Sequence, residues 1–413
     1  MLQHFLLTRG RCHAGTQSVG RQRLWSEVAG SLADPLESSA VRHAGLSPRR
    51  PCVLLLALLL ACTGTGREGG ASSAGSHPDP AYIDQTIPPS FEIALDAAPS
   101  TSGLEVGPVV AHSGVAPGGS DDAVGRIGDG LFLPGGRVLL VDDALEMLHV
   151  FEAGGERGAS IGRPGRGPGE FEQPRAAALM AQGSLVVAEG VRLQLLQPAR
   201  RGFEYQGALS LDVPAQDFCL LGDTIVTTGS RRSGPVLHLY AIDGGGIGAF
   251  GMVYRSPNEM VNEEMSLGQV ACDGAHAVIA LATRGPLAEV RGYRPDGALL
   301  WRTTFSGAKA NRIEDTPGGY RVIKSANGVH SLYSLTMIPG RGFLVQWTFR
   351  QPEELTARAS YGKILSFVLD PLTGHPLGPD ADLPPILAAS DTTVLAVFED
   401  PAPRFEVRAL TRH

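Results

Sequence analysis

IGRPGRGPGEFEQPRAAALMAQGSLVVAEGVRLQLLQP, from Ile161 to Pro198, is the stretch that decides the fold. It opens with GRPGRGPGEFEQP, too dense in Gly and Pro for a helix or a central strand. Three short apolar runs follow, Ala176 to Leu179, Leu185 to Ala188 and Leu193 to Leu196. A Gly-Ser turn at Gly183 and a Gly-Val-Arg turn after Glu189 separate them. Runs this short, with breakers every few residues, predict a meander of antiparallel strands.

The rest of the chain repeats this plan less cleanly. Upstream, Gly130 to Leu133, Val138 to Val141, Met147 to Phe151 and Gly158 to Ile161 make one unit, and Phe203 to Leu211 completes the quoted one. Downstream come Phe218 to Leu221, Thr224 to Thr227, Val236 to Ile242 and Gly246 to Phe250. The next copy is Gly268 to Ala271, Ala277 to Ala282, Ala288 to Tyr293 and Leu299 to Phe305. A fifth uses Val329 to Met337, Gly342 to Phe349 and Gly362 to Leu369, and a sixth Ile386 to Ala389, Thr393 to Phe398 and Phe405 to Leu410. Second strands at Val141, Val187, Val226, Ile279, Val345 and Leu395 recur roughly every 40–65 residues, as in a β-propeller. The expected fold is all-β: a six-bladed β-propeller of four-stranded antiparallel blades. The sixth unit lacks a fourth strand, so Phe91 to Leu95 is expected to close the ring by pairing with the last blade. Val106 to Val115 is ambiguous.

The quoted stretch also resembles the NHL-type six-bladed propellers. The resemblance rests on Gly162, Gly165, Gly167, Pro168, Gly169, Glu170, Phe171 and Pro174, then Gly183, Leu185, Val187, Ala188, Glu189, Arg192, Gln194 and Leu195. Glu189 stands where that family usually has Asp; the first unit keeps Val141-Asp142 but has Met147 near the expected Arg. In such repeats the Arg often pairs with the acid ending the second strand and holds the loop.

Composition fits this plan. Apolar residues make up 43% and charged ones 19%, enough for a core, and 53 Gly with 30 Pro supply many tight turns. Lysine occurs only at positions 309, 324 and 363, a bias that fits a GC-rich genome. The net charge of −7 divides unevenly: seven Arg against three acids in residues 1–61 leave −11 for the rest. An acidic body argues against nucleic acid as a partner.

Residues 41–61 have the form of an export signal. Arg49-Arg50 precede an apolar run from Val53 to Ala61, too short for a membrane span. Leu59-Leu60-Ala61-Cys62 resembles the lipobox of bacterial lipoproteins, which implies a lipid on the Cys62 thiol and a place in the cell envelope, on the periplasmic or cell-surface side. An ordinary signal peptide with an incidental Cys is the competing explanation. Residues 1–40 are expected to be a misassigned leader, with Val41 as a start; a mitochondrial presequence would leave the lipobox unexplained. Residues 62–84 are rich in Gly, Ser and Pro and read as a flexible tether. Residues 85–413 then form the propeller.

In a propeller, the 2-to-3 and 4-to-1 connections emerge on one face. The long connections Met252 to Leu267, Ser306 to Gly328 and Arg350 to Tyr361 all belong there, where loops carry function. Arg192, Arg231, Arg284, Arg350 and Arg404 fall in the 2-to-3 connections, and Arg175 follows the Gly-rich loop. With Glu189 and Asp142, these are the candidate ligand-binding residues, suited to a small anion, a glycan or a protein. Catalysis has less support: no HExxH, GxSxG or CxxC motif is present, and no cofactor is indicated. The rival function is a lactonase-type hydrolase or lyase with a channel metal. It would need acidic, Asn or His side chains on inner strands that instead offer mostly Ala, Leu, Gly and Cys. His149, His238, His276 and His330 lie in or beside strands, and Glu259, Glu263 and Glu264 predict a short helix with a solvated face. Cys219 and Cys272 fall in the first strands of adjacent blades; an oxidising compartment would permit a disulfide, but these strands are expected to lie too far apart for one, and two buried free thiols are expected.

Overall fold

A computed structural model describes residues 90–95, 104–113, 124–200, 202–229, 234–251, 258–265, 267–283, 288–316, 319–351, 362–380, 383–399 and 402–412. Two strands, β1 (Phe91–Ala94) and β2 (Leu104–Ser113), precede the regular repeats. Blade 1 is β3 (Ile127–Phe132), β4 (Val138–Asp142), β5 (Met147–Phe151) and β6 (Arg157–Ile161). Blade 2 is β7 (Ala176–Leu179), β8 (Leu185–Glu189), β9 (Arg192–Ala199) and β10 (Gly202–Ser210). Blade 3 runs from β11 (Asp217–Leu221) through β12 (Thr224–Thr228) and β13 (Leu237–Ala241) to β14 (Gly246–Phe250). After helix α1 (Glu259–Met265) comes blade 4: β15 (Gly268–Asp273), β16 (Val278–Thr283), β17 (Glu289–Tyr293) and β18 (Leu299–Ser306). A separate hairpin, β19 (Arg312–Thr316) with β20 (Gly319–Ile323), leads to blade 5. That blade is β21 (Val329–Ile338), β22 (Gly342–Arg350), β23 (Lys363–Leu369) and β24 (Pro376–Asp380). Blade 6 is β25 (Ile386–Ala389), β26 (Thr393–Phe398) and β27 (Arg404–Arg412), with β2 as its outer strand.

The second strands explain the ring. β4 and β8 are buried at every position, because each faces a neighbouring blade on both sides. Side chains alternate across a strand, so Leu139 and Val141 enter the core between blades 1 and 2, while Val138 and Leu140 enter the core between blades 6 and 1. Leu185 and Val187 likewise face blade 1, and Val186 and Ala188 face blade 3. Six apolar clusters result, one at each of the six blade interfaces, and together they close the circle.

Two expectations about the edges are corrected. Phe91 to Leu95 does not pair with the last blade: β1 adds in parallel to β18, with Phe91 opposite Thr303 and Ala94 opposite Ser306. The ring is closed by β2, antiparallel to β27, from Leu104 opposite Arg412 to Ser113 opposite Phe405. Gly107-Pro108 made β2 hard to read as a strand; it is accommodated by register shifts between Val106 and Ala111.

Cys219 and Cys272 are also corrected. They form a disulfide, with a Cα–Cα separation of 5.7 Å. Inner strands of neighbouring blades converge toward the ring axis, and the stagger of β11 against β15 brings these two positions within bonding range. A further latch between the same strands is the Asp217 carboxylate, whose Oδ2 accepts from the Val270 N–H at 2.9 Å.

Candidate functional site

Connection lengths separate the two faces. The 1-to-2 and 3-to-4 turns are all short, such as Gly222–Asp223 between β11 and β12. Every long connection is a 2-to-3 or 4-to-1 segment. Among the described residues, two of them carry structure of their own, α1 before blade 4 and the β19–β20 hairpin after it. The segment 306–328, expected as a loop, is thus partly a hairpin. The two insertions touch: Asn258 Nδ2 donates to the Gly319 carbonyl at 2.5 Å. Helix α1 buries Val261 and Met265 and leaves Met260 exposed.

The candidate residues on this face are engaged within the fold to different degrees. Glu189 Oε1 accepts from Arg192 Nε at 2.5 Å and Gln194 Nε2 at 2.6 Å, and its Oε2 accepts from the Glu172 N–H at 2.8 Å. Arg192 reaches on to the Arg166 carbonyl at 2.7 Å and the Glu170 carbonyl at 3.2 Å. Gln194 Oε1 accepts from the Gly169 N–H. These groups clamp the Gly-rich loop between blades 1 and 2. Gly162 there has φ 81°, and a Cβ on it would meet the Phe171 ring at 2.3 Å.

Asp142 plays the matching part in blade 1. Its carboxylate, fully buried by the fold, accepts from the N–H groups of Gly125, Arg126, Ala144 and Leu145 and from His149 Nε2 at 3.2 Å. Burial alone would raise this acid, but the His149 and backbone hydrogen bonds outweigh it and bring it down to about 2. Arg157 Nη2 lies 2.7 Å from His149 Nδ1; since a guanidinium only donates, Nδ1 is the acceptor and Nε2 carries the proton to Asp142.

The other arginines are spread around the face. Arg175 Nη1 donates to Gln216 Oε1 at 3.4 Å, linking blades 2 and 3. Arg350 is buried at the end of β22, and Arg404 lies over the Phe398 ring, 4.5 Å from its centroid. Arg231 and Arg284 fall outside the described residues, as does Cys62. The histidines do not converge. His238 meets the Gly229 carbonyl, His276 meets Asp273, and His330 accepts the Lys309 N–H. Burial and the nearby Lys309 charge hold His330 down at about 4. Among the described residues, no group of three or more His, Cys, Asp or Glu is placed to hold a metal.

Two acids on the inner ring escaped the sequence reading, which took these strands as apolar or small. Asp129 lies in β3 and Asp217 opens β11. The Asp129 carboxylate accepts from the Ala177 N–H of blade 2 at 2.9 Å. Burial and then the Asp217 charge push Asp129 up to about 7, against the pull of the Ala177 and Gly130 N–H groups. Only one acid per inner strand is involved, which is why no sequence run announced it. A carboxyl with a raised folded pKa stabilises fully below its unfolded value, 3.8, and loses that contribution as pH rises through about 7. The Asp129→Asn protein is therefore expected to gain stability relative to the parent as pH rises across this window. Urea unfolding at the two ends of the window measures it; parallel pH profiles would contradict it.

No family model matches the chain, and no curated protein matches it either. Solved structures do. A member of the DUF4221 family from Bacteroides vulgatus superposes with a TM-score of 0.51 at 10% identity, over 76% of this chain and 100% of the other. A Bacteroides fragilis protein designated a candidate exported protein gives 0.47 at 12% identity, over 78% and 99%. At 10% identity the likeness to the DUF4221 structure is one of fold. The chain is a six-bladed β-propeller.

Proposed function

We propose that this chain is an exported, lipid-anchored binding protein, related to the NHL-type propellers, whose insertion-bearing face holds a protein, glycan or small anionic ligand. One observation carries the reading: every long connection of the ring is on one face, and its two structured insertions are fastened to each other there by Asn258. A rigid ring with short turns on one side and elaborated loops on the other is a scaffold for recognition. The Cys219–Cys272 disulfide supports export, because such bonds persist in oxidising compartments. Arg175 and Arg404 on the loop face, with Arg231 and Arg284, would supply cationic contacts, whereas Arg350 is buried at the end of β22. Arg192, Glu189 and Asp142 hold the backbone of that face in shape.

A photo-crosslinking residue at Met260, exposed on α1, tests the reading in cells producing the full chain. It is expected to yield a discrete adduct, while the same residue at Ile247, exposed on the outer strand of blade 3, yields none. Equal labelling from both positions would contradict it.

Asp129 and Asp217 favour a second reading, an inner-ring hydrolase or lyase of lactonase type. It expects lactone hydrolysis that Asp129→Asn abolishes; unchanged turnover in that variant would remove it.

A further inference from the structure

The β23–β24 hairpin of blade 5 holds out two leucines on a rigid frame. Leu372 at its turn is 53% exposed and Leu377 in β24 is 46% exposed. The turn pairs its own N–H groups. Asp370 Oδ1 accepts from the Leu372 and Thr373 N–H groups and from the Thr373 hydroxyl, and the Asp370 carbonyl accepts from the Gly374 N–H. Blade 4 braces it from below: Trp301 Nε1 donates to the Pro371 carbonyl and the Thr303 hydroxyl to the Gly374 carbonyl, both at 2.8 Å. Gly374 has φ 69°, and a Cβ there would meet the Trp301 ring at 2.5 Å. The leucines are therefore presented by a turn whose N–H groups are already paired within the fold.

Where the chain enters the fold says what covers them. The Ser90 N–H donates to the Arg302 carbonyl, and the next residue, Phe91, sets its ring against His375 of this hairpin at 4.7 Å. The segment coming from Cys62 thus meets the propeller beside Leu372 and Leu377. No Asp, Glu, Lys or Arg occurs from Pro371 to Pro379, and the two carboxylates that flank the stretch are Asp370, turned into the turn's own N–H groups, and Asp380. Residues 63–89 separate Cys62 from Ser90. In general a flexible linker of that length spans about 30 Å on average and gives an effective concentration of about a millimolar near an anchoring surface.

We propose that Leu372 and Leu377 are a membrane-contact point, resting in the lipid interface beside the segment that leads from the anchor. The proposal rests on the lipid-anchor reading of Cys62. The contact is a 3-to-4 turn, on the face opposite the long connections, so docking there leaves the insertion-bearing face turned to solvent.

The test couples protein of residues 62–413 through the Cys62 thiol to a maleimide lipid in phosphatidylglycerol–phosphatidylcholine vesicles. The other two cysteines of this span are joined to each other. Leu372→Trp and Ile247→Trp place reporters at exposed sites; the two native tryptophans of this span, Trp301 and Trp347, are buried. Brominated lipids are expected to at least halve the added emission of L372W and to leave that of I247W unchanged. Equal quenching, or none in L372W, overturns the contact. Chemical coupling separates this outcome from the anchor itself, which mass spectrometry of the membrane-bound protein decides by finding or not finding acylated Cys62.

Discussion

Replacing both cysteines, Cys219→Ser with Cys272→Ser, is expected to cost about 4 kcal/mol of stability. The bond closes a separation of 53 residues, and loop-closure entropy in the unfolded chain rises with that length. In the folded protein it ties the inner strands of blades 3 and 4, close to the apolar cluster of Val226, Val270 and Ile279. Urea unfolding of the parent, the reduced parent and the double variant measures the effect. Reduced parent and variant should coincide, well below the oxidised parent. An oxidised parent no more stable than the variant would show that the bond is not formed.

Asp142→Ala should be nearly as damaging, at about 3–5 kcal/mol, through a different cause. The substitution strips the acceptor from four backbone N–H groups and from buried His149 at once. The turn after β4 and the entry to β3 would both lose their anchor. Because the folded pKa of Asp142 is lowered to about 2, its contribution is fully present above 3.8 and is lost as pH falls through about 2. The gap between parent and variant should therefore be widest near neutrality and narrow in acid. Denaturant unfolding at neutral and at acidic pH checks both size and sign; a gap that widened in acid would contradict the role given to the carboxylate.

The repeat was legible because burial on both faces forces continuous apolar second strands such as Val138–Asp142 and Leu185–Glu189, framed by Gly-rich turns. The clamp formed by Glu189, Arg192 and Gln194 was legible through its motif. Edge strands were not. Pro376 and Pro379 in β24 and Gly107-Pro108 in β2 sit where only one side needs ladder hydrogen bonds, so sequence rules that demote proline miss them. Nor can hydrophobic pattern show that β1 pairs in parallel with blade 4, since four residues specify little register. The disulfide depended on the stagger between two inner strands, a long-range quantity. The charge of Asp217 reaches Asp129 only because blades 1 and 3 are bent round the same axis. The face that carries the long connections was legible through loop lengths, and the inner-ring acids were not.

We propose that binding belongs to the face carrying α1 and the β19–β20 hairpin. Excising that hairpin, by replacing residues 312–323 with a Gly-Gly link, tests it directly, because the hairpin forms a sheet of its own outside the blades. Affinity capture from crosslinked membranes should then lose the partner recovered with the parent, at an unchanged unfolding midpoint. Full recovery of the partner by the excised protein would contradict the claim.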